Sequence, residues 1–363
     1  MKNNAGCCPL CGKDSKPLFT LRNSPRLQNV LFDSEGQAKA VAHGDYDFRL
    51  CPTCVHGFNP GFQSEDIEYD TDYDNDQSAS PRYRAHVEWV VDHLTDACDL
   101  TARSRVLEIG CGNGYLLSRI AEKTGSVIDG FDPAYNGRYG DPSRFSREYF
   151  QPTADRSWDL VILRHCLDSF TDPGPIVEAA AKALGTSGRL YVESADLDYI
   201  LREGDFSLFY HECARYFSKT SLAIYLAQQG LVAESSNSSF GGQYFSCVFR
   251  PIPDPSLVAS SPERILRNLT GFRKILIWGI SGRAITILSH LALGKEVVAF
   301  GVDIAQAKHG RHIPVTGQKI LSPQEASEFQ PDLVLIPNRN YEDEIRPFFP
   351  STTRFLTLQD ALS

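Results

Sequence analysis

The segment 209–218 carries the densest set of reactive side chains in the sequence. It reads FYHECARYFS, and seven of these ten residues can donate, accept or titrate. Tyrosine, histidine, glutamate and cysteine can polarise a carbonyl group or move a proton when they are held close to a substrate. Such a concentration in a loop before a helix is unusual for packing alone. The sequence therefore predicts a reaction centre here, with four candidate catalytic residues: Tyr210, His211, Glu212 and Cys213.

Two CxxC pairs form the second chemical signal. They are Cys8 with Cys11 and Cys51 with Cys54. Each pair can present two thiolates from one tight turn, and four thiolates complete the tetrahedral shell of a structural zinc site. We predict a zinc-binding domain over residues 1–66 that holds one structural Zn²⁺. Cys7 could replace Cys8, although its CxxxC spacing is less usual, and redox-active CxxC pairs are the alternative interpretation.

A glycine-rich turn joins an apolar strand to a helix over residues 105–117, RVLEIGCGNGYLL. The strand carries one acid, Glu108, and the turn contains Gly110, Gly112 and Gly114. Glycines let a ligand approach the main chain closely at a helix N-terminus. No GK[ST] follows, which argues against a P-loop. The pattern is typical of a binding site for a cofactor that contains a nucleoside.

The next predicted strand, 126–131, is followed by Asp132 and Pro133. An acid at this position can accept hydrogen bonds from two ribose hydroxyls. The pattern E-x-G-x-G-x-G followed by such an acid resembles the class I S-adenosylmethionine (SAM) methyltransferases, and a nicotinamide-binding domain is the alternative. The resemblance implies that SAM lies on the glycine turn, beside Glu108 and Pro133, with Asp132 on its ribose.

Polar residues also follow the predicted strand 158–163. Residues just past the C-terminal end of a strand face the ligand crevice of an open α/β sheet. We therefore predict Arg164 near the cofactor and His165 in the catalytic site. Asp168 is a further candidate, with helix capping as its alternative role.

The stretch 69–77 is acidic and aromatic and directly precedes the predicted SAM domain. One interpretation is a solvated linker. The other is a lid over SAM, in which Tyr73 and Gln77 meet the methionine end of the cofactor. The sequence leaves both open.

Residues 274–303 repeat the strand, glycine turn and strand arrangement in a weaker form. Their turn is Gly279-Ile-Ser-Gly282, and their second strand ends in Asp303. The GxxG spacing is less specific than a dinucleotide fingerprint, so a second nucleotide site and a βαβ scaffold without ligand are both possible. The proline-rich segment 251–255 is a predicted linker, which sets domains at 67–252 and 253–363.

Bulk properties narrow the class of protein. The chain has 363 residues and a net charge of −9, which argues against nucleic acid as a partner because phosphate binding requires clustered Lys and Arg. No apolar run approaches the roughly 20 residues of a membrane span, and the N-terminus has no apolar signal region. We expect a cytoplasmic protein with no membrane partner. No pattern indicates its oligomeric state.

Taken together, these motifs make nearly the whole chain resemble the three-domain nucleotide-sugar C-methyltransferases. That family joins an N-terminal zinc-binding domain, a central SAM domain with a Rossmann-like α/β sheet and a C-terminal Rossmann-like domain. The resemblance implies methylation of a carbon beside the keto group of a nucleotide-linked deoxysugar, through an enolate formed by a base. It also implies that Tyr210 and Glu212 position or polarise the sugar, with Tyr73 near the reacting carbon.

Two positions depart from that family. Its loop is usually YHEH, and the second histidine is its best candidate base, where this chain has Cys213. The family often has a further histidine where this chain has Ser169. A thiol could act as base only if a cation such as His211 or Arg215 lowered its pKa from about 8.5. Two alternatives therefore stay open: an O-, N- or S-methyltransferase on another small metabolite, and a zinc protein that binds SAM without turnover.

Overall fold

The computed structural model describes residues 6–27, 29–64, 67, 73, 76–152 and 157–362. The chain divides into two compact units, Met1–Ile252 and Pro253–Ser363. The strands of the first unit are β1 (Lys16–Pro25), β2 (His43–Cys51), β3 (His56–Phe58), β4 (Arg105–Ile109), β5 (Val127–Phe131), β6 (Phe145–Ser146), β7 (Trp158–Arg164), β8 (Leu184–Ala195), β9 (Arg215–Tyr216), β10 (Leu231–Ser239) and β11 (Tyr244–Pro251). Its helices are α1 (Glu35–Lys39), α2 (Pro81–Ala97), α3 (Tyr115–Thr124), α4 (Gly174–Ala183), α5 (Leu197–Glu203) and α6 (Lys219–Gln228).

The N-terminal region forms a four-stranded antiparallel sheet in the order β1-β2-β3-β9. Strands β1 and β2 make an antiparallel hairpin of ten and nine residues between the two CxxC pairs. Its buried side chains, Tyr46 and Phe48, pack against Phe209 and Tyr216 rather than forming a core of their own. The hairpin is therefore stabilised by a distant part of the chain as well as by its own pairing.

The last strand of this sheet, β9, belongs to residues 209–218, which we call the reactive loop. In β9, Tyr216 pairs with Gly57 and Arg215 pairs with Phe58 of β3. The Asn59 amide also donates to the Ala214 carbonyl at 2.9 Å. Cys51 ends β2 and Cys54 lies in the turn before β3, so the sheet beside these two cysteines also holds the end of the reactive loop. This pairing crosses the predicted domain limit at residue 66.

The central sheet has seven strands in the order β10-β11-β8-β7-β4-β5-β6. Strands β6, β5, β4, β7 and β8 are parallel neighbours, and β11 is antiparallel to both β8 and β10. The sequence predicts this seven-stranded α/β sheet, and the structure confirms it. Helices α2 and α3 pack their apolar sides on one face, while α4 and α6 pack on the other.

Local sequence explains where these helices begin. Ser80 caps α2 and is followed by Pro81, whose fixed φ suits a first helical turn. Ser218 caps α6 through a reciprocal pair of hydrogen bonds with Ser221. The cap at Ser218 also fixes the point at which the reactive loop ends.

The second unit is built on a parallel sheet in the order β14-β13-β12-β15-β16. Its strands are β12 (Ile275–Trp278), β13 (Val298–Val302), β14 (Ile320–Leu321), β15 (Leu333–Ile336) and β16 (Arg354–Thr357). Its helices are α7 (Ser256–Ala259), α8 (Ser261–Leu269), α9 (Gly282–His290), α10 (Pro323–Glu328), α11 (Glu342–Ile345) and α12 (Leu358–Leu362). This is the Rossmann-like arrangement that the sequence predicts.

Across the described ranges, every helix is too short or too polar to span a bilayer.

Candidate active site

A cavity lies at the C-terminal ends of β4, β5 and β7. In an open parallel sheet this edge is where ligands bind, because the loops that leave neighbouring strands diverge there. Most of the residues predicted for the cofactor and two of those predicted for catalysis border it: Glu108, Gly110, Gly112, Asp132, Pro133, Arg164, Gln77, His165 and Tyr73. Ser169 also borders it, whereas Tyr210, His211, Glu212 and Cys213 do not.

Asp132 organises the glycine turn. Its carboxylate accepts hydrogen bonds from the Gly112 amide at 2.8 Å and from the Ala134 amide at 2.7 Å. Burial raises the pKa of Asp132, and these two amides oppose the rise. Each carboxylate oxygen has a second lone pair, so the side chain can still accept from hydroxyls in the cavity.

Gly114 differs from the other two glycines of the turn in its surroundings. It is the N-cap of α3 with φ of 85°, and it does not border the cavity. A Cβ built there would lie 2.9 Å from the ring of Phe145. Gly114 is therefore required by backbone conformation and by packing against Phe145.

The second unit contains a matching carboxylate, Asp303. It accepts from the Ile280 amide at 3.0 Å and from the Ala305 amide at 2.9 Å. Here, however, Lys308 Nζ lies 2.6 Å from Asp303 Oδ2 and also donates to the Ile280 carbonyl at 2.8 Å. A cation already occupies the position beside this acid, which favours the scaffold interpretation over a second nucleotide site.

The two matching carboxylates provide a controlled prediction. We expect Asp132→Ala to weaken binding of S-adenosylhomocysteine (SAH) by about 1–3 kcal/mol, because hydrogen bonds to the ribose and to the turn are lost together. Isothermal titration calorimetry measures the change. Asp303→Asn is the control and should leave SAH affinity unchanged. Equal affinity of Asp132→Ala and the wild type would remove Asp132 from the cofactor site.

Glu108 is an acid buried at the base of the cavity, with 2% of its surface exposed. Within the part of the chain that the structure describes, its Oε2 has no hydrogen-bond partner. Burial raises the pKa of Glu108 to about 7, with Arg164 opposing the rise and the charges of Asp132 and Glu193 adding to it. The side chain is thus poised to ionise when a cation enters the cavity.

This buried acid makes cofactor binding dependent on pH. The positive charges of SAM favour the ionised form, so binding should release a proton from Glu108 when the pH is near 7. SAM affinity should then rise with pH and level off above about 7. Calorimetry in two buffers of different ionisation enthalpy counts the protons. Release of the same number by Glu108→Gln would contradict this assignment.

Glu193 is a buried acid beside the candidate site that sequence analysis missed. It lies near the end of strand β8, paired with Arg164 of β7, with 1% of its surface exposed. Its Oε1 accepts from Arg164 Nη2 at 2.8 Å and lies 3.1 Å from His165 Nε2 and 3.3 Å from His86 Nε2. Tyr191 Oη donates to its Oε2 at 2.8 Å.

The charge state of Glu193 follows from these contacts. Burial alone would raise its pKa, but the Arg164 guanidinium and the hydrogen bonds from His165 and His86 hold the pKa of Glu193 well below its usual value. In the sequence, the only sign of this environment is that one predicted strand ends in Glu193 while another is followed by Arg164 and His165. That signal requires the strand order to be known.

His165 adopts a left-handed backbone conformation with φ of 49°, which is uncommon for a residue other than glycine. Its amide donates to the Glu193 carbonyl at 2.9 Å, and its ring meets the Tyr244 ring edge-on with centroids 4.5 Å apart. Conformations of this kind persist where the surroundings fix them, often at functional sites. Glu193 and Tyr244 together orient the imidazole at the cavity.

The reactive loop is connected to the cavity through Tyr73. Tyr73 Oη donates to Glu212 Oε1 at 3.4 Å and accepts from Asn29 Nδ2 at 3.0 Å. Burial, followed by the charge of Glu212, raises the pKa of Tyr73, so its phenol stays protonated and acts as a donor. Tyr73 therefore borders the predicted cofactor site and contacts the predicted acceptor residues at the same time.

The remaining loop residues are fixed by the N-terminal sheet. The Tyr210 amide donates to Tyr216 Oη at 2.8 Å, and Tyr216 Oη donates to the Leu208 carbonyl at 3.1 Å. Buried His211 packs over Gly44 of β2, where a Cβ would lie 2.8 Å from its Nε2. His211 thus contacts the sheet that carries the cysteine pairs.

Cys213 does not meet the condition set for a catalytic base. Burial raises the pKa of its thiol well above the usual value, and the charges of Asp168 and Glu212 raise it further. Arg215, a predicted activating cation, instead donates to the Thr171 carbonyl at 2.9 Å. An acidic environment stabilises the neutral thiol, so the condition that sequence analysis set for Cys213 as a base is not met.

The predicted lid lies partly outside the described residues, since positions 69–72, 74 and 75 are not described. Next to it, Asp76 accepts from the Ser78 amide at 2.7 Å and pairs with Arg138 at 2.6 Å. Ser78 and Tyr139 hydroxyls lie 2.8 Å apart. These contacts anchor the C-terminal end of the stretch at the cavity, which Gln77 borders.

The four predicted metal ligands form one cluster, in which all the sulfurs lie within 4.8 Å of one another. The Sγ atoms of Cys8 and Cys54 are 3.6 Å apart, as are those of Cys11 and Cys51. A tetrahedral Zn²⁺ with bonds of about 2.3 Å requires sulfurs roughly 3.8 Å apart, so the geometry fits the ion. Cys7 is not part of the cluster among the described residues.

Comparison with known proteins identifies the class of enzyme. Residues 83–236 match the family described as "Methyltransferase domain", and residues 264–350 match "C-methyltransferase C-terminal domain". The C-methyltransferase NovU of Streptomyces niveus is 24% identical over 403 aligned residues, covering 96% of this chain and 94% of NovU. The ubiquinone biosynthesis O-methyltransferase of Idiomarina loihiensis is 31% identical over 99 residues, covering 24% of this chain and 40% of that protein. The solved structure of the PH0226 protein from Pyrococcus horikoshii OT3 aligns with a TM-score of 0.37 and 19% identity, covering 48% of this chain and 93% of that chain.

The chain is a SAM-dependent methyltransferase with a class I Rossmann-like α/β core. The similarity to NovU over almost the whole length, together with the second domain match, supports a C-methyltransferase family. Such an enzyme methylates a small-molecule acceptor.

Proposed function

We propose that the chain transfers a methyl group from SAM to a carbon beside the carbonyl of a nucleotide-linked ketosugar or a similar small metabolite. The observation that carries the proposal is the contact between Tyr73 and Glu212, 3.4 Å between Oη and Oε1. It joins the cofactor cavity to the reactive loop. The likeness to NovU, which is described as a C-methyltransferase, supports carbon as the acceptor atom.

The proposed acceptor site combines hydrogen-bond donors with a carboxylate. Tyr73 and Tyr210 keep their protons because burial raises the pKa of both phenols, and Glu212 supplies an acceptor. Donors of this kind can polarise a keto oxygen, and the carboxylate can accept from a sugar hydroxyl. A ketosugar presents both groups.

The proposed SAM site consists of the residues that border the cavity and were assigned to the cofactor. The fit rests on three features: the glycine turn at Gly110 and Gly112, the carboxylate of Asp132, and the Glu108 oxygen that has no partner among the described residues. A buried acid suits a ligand that carries positive charge, and the turn suits close approach by its nucleoside. When bound, SAM supplies an activated methyl group.

We further propose that the cysteine cluster holds one structural Zn²⁺, as part of a zinc-binding domain over residues 1–66. Four thiolates leave no open coordination position, so the metal would stabilise the fold and take no part in the reaction. The distances between the sulfurs support this assignment.

An O-, N- or S-methyltransferase is the second candidate. Its support is the absence of both family histidines, since this chain has Cys213 and Ser169 at those positions. A heteroatom acceptor needs mainly positioning and only a weak base. The 31% identity of 99 residues to an O-methyltransferase is consistent with it.

A thermal-shift panel tests the acceptor class. With SAH held saturating, nucleoside diphosphates and nucleotide sugars are titrated, with uncharged metabolites as controls. A ligand at 100 times its dissociation constant should add about 2.7 kcal/mol to the apparent stability. We expect a shift with one nucleotide and a smaller shift in Glu212→Gln. If SAH alone raises the melting temperature and no nucleotide raises it further, the methyltransferase assignment stands and the nucleotide-sugar acceptor is rejected.

A further inference from the structure

A buried carboxylate fixes the tautomer of an imidazole at the edge of the cavity. Glu193 Oε1 lies 3.1 Å from His165 Nε2, and Arg164 keeps this carboxylate ionised. An ionised carboxylate can only accept a hydrogen bond, so Nε2 must carry the proton. The neutral ring therefore has its lone pair on Nδ1.

The second nitrogen of His165 is available for chemistry. Within the described ranges of the chain, no hydrogen bond engages Nδ1, and the side chain retains 27% exposure. His86 shares the same Glu193 oxygen at 3.3 Å, but its side chain is only 4% exposed and does not border the cavity. The Glu193 carboxylate thus contacts two imidazoles, the buried one of His86 and the accessible one of His165.

The other side chains considered for proton transfer are less suitable. The Cys213 thiol is held neutral by burial and by neighbouring acids. Ser169 offers only a hydroxyl, and His211 packs over Gly44 of the N-terminal sheet. Among the described residues that line the cavity, His165 is the one with an imidazole.

We propose that His165 is the base that removes the α-proton of the acceptor, and that Glu193 is the residue that positions it. This inference rests on the proposed carbon methylation. The C–H bond breaks, its electron pair forms the carbon–carbon double bond of the enolate, and the carbonyl π pair moves to oxygen. The proton goes to Nδ1 of His165, and Glu193 balances the charge of the imidazolium. The enolate C=C pair then forms the bond to the methyl carbon, an electron pair on oxygen re-forms the carbonyl, and the S–CH₃ bond breaks with its electron pair left on sulfur. The proton on Nδ1 leaves to water.

The tautomer is tested without any acceptor. ¹⁵N-histidine-labelled protein is saturated with SAH, and the His165 resonance is assigned by its loss in His165→Gln. We expect the neutral ring to be protonated at Nε2 in the wild type and to become a mixture of tautomers in Glu193→Gln. A wild-type His165 protonated at Nδ1 would overturn the proposal.

Proton removal is tested separately from methyl transfer. The probes are the 4-keto-6-deoxyglucose derivatives of thymidine and uridine diphosphate, incubated in D₂O with enzyme and SAH, and NMR follows deuterium uptake beside the carbonyl. We expect exchange with the wild type and a loss of about 100-fold or more in His165→Gln, the range of general-base catalysis. SAH affinity should be unchanged. His290→Gln, at an exposed position on α9, is the matched control and should exchange at the wild-type rate.

The outcomes separate the two proposals. Exchange in His165→Gln at the wild-type rate overturns His165 as the base and leaves carbon methylation standing. The absence of both exchange and a C-methylated product with the wild type overturns the proposed function, and this inference falls with it. Glu193→Gln should lower the exchange rate with SAH affinity retained, and the His165→Gln result decides the question even when Glu193→Gln does not fold.

Discussion

Removal of the proposed Zn²⁺ from the cysteine cluster should abolish methyl transfer while leaving SAH binding nearly unchanged. Cys51 ends β2 and Cys54 lies in the turn before β3, which pairs directly with β9 of the reactive loop. Structural zinc contributes about 10–16 kcal/mol in small domains, so its loss should unfold this sheet. The cofactor cavity stands on β4, β5 and β7 and should persist.

The variant for this test is Cys54→Ser, with metal analysis, a methyl-transfer assay and SAH calorimetry as measurements. We expect loss of about one metal ion per chain, no turnover, and SAH affinity within roughly threefold of the wild type, or about 0.7 kcal/mol. Cys7→Ser is the matched control and should retain both metal and activity. Normal turnover by metal-free Cys54→Ser would show that the cluster does not support the reactive loop.

Glu193→Ala should destabilise the protein by about 3–5 kcal/mol, the cost of leaving one member of a buried ion pair without its partner. Arg164 keeps its charge in a site where 8% of its side chain is exposed, and His165 loses its acceptor. The pKa of Glu193 is lowered on folding, so its stabilisation is present above its unfolded pKa of about 4.5 and is lost only as the pH falls through the lower folded value.

Denaturant unfolding at neutral pH measures this change. Glu178→Ala is the control, because Glu178 forms an exposed pair with Lys182 on α4 and should change stability by less than about 0.5 kcal/mol. A loss below about 1 kcal/mol in Glu193→Ala would mean that Arg164 finds another partner, and the network around Glu193 would then not be what fixes His165.

Local sequence patterns were sufficient to predict the geometry of the glycine turn and the position of Asp132 beside it. The strand, glycine turn and helix at Arg105–Leu117, followed by an acid after the next strand, encode both the turn and the hydrogen bonds of Asp132. The CxxC spacing likewise brought four sulfurs to the distances that a tetrahedral ion requires. In each case the interacting groups are set by short stretches with defined backbone geometry.

The acceptor half depended on contacts that no local pattern encodes. The pairing of β3 with β9 joins Gly57 to Tyr216, far apart in the chain, and it fixes the loop in the N-terminal sheet. The environment of Cys213 depends on Asp168, which comes from a different loop. Glu193 became visible only when β8 was placed beside β7. The sequence therefore names candidate residues, whereas their neighbours and the direction of their pKa shifts follow only from the fold.

The central claim is methylation of carbon, and the most direct test is the fate of a labelled methyl group. SAM carrying a ¹³C-methyl group is incubated with the wild-type enzyme and the two nucleotide ketosugar probes, and the product is analysed by ¹³C NMR. We predict a methyl resonance typical of attachment to carbon. The methyl group itself should resist treatment with acid and dealkylation. A methyl resonance typical of attachment to oxygen, nitrogen or sulfur would contradict the account and favour the heteroatom alternative.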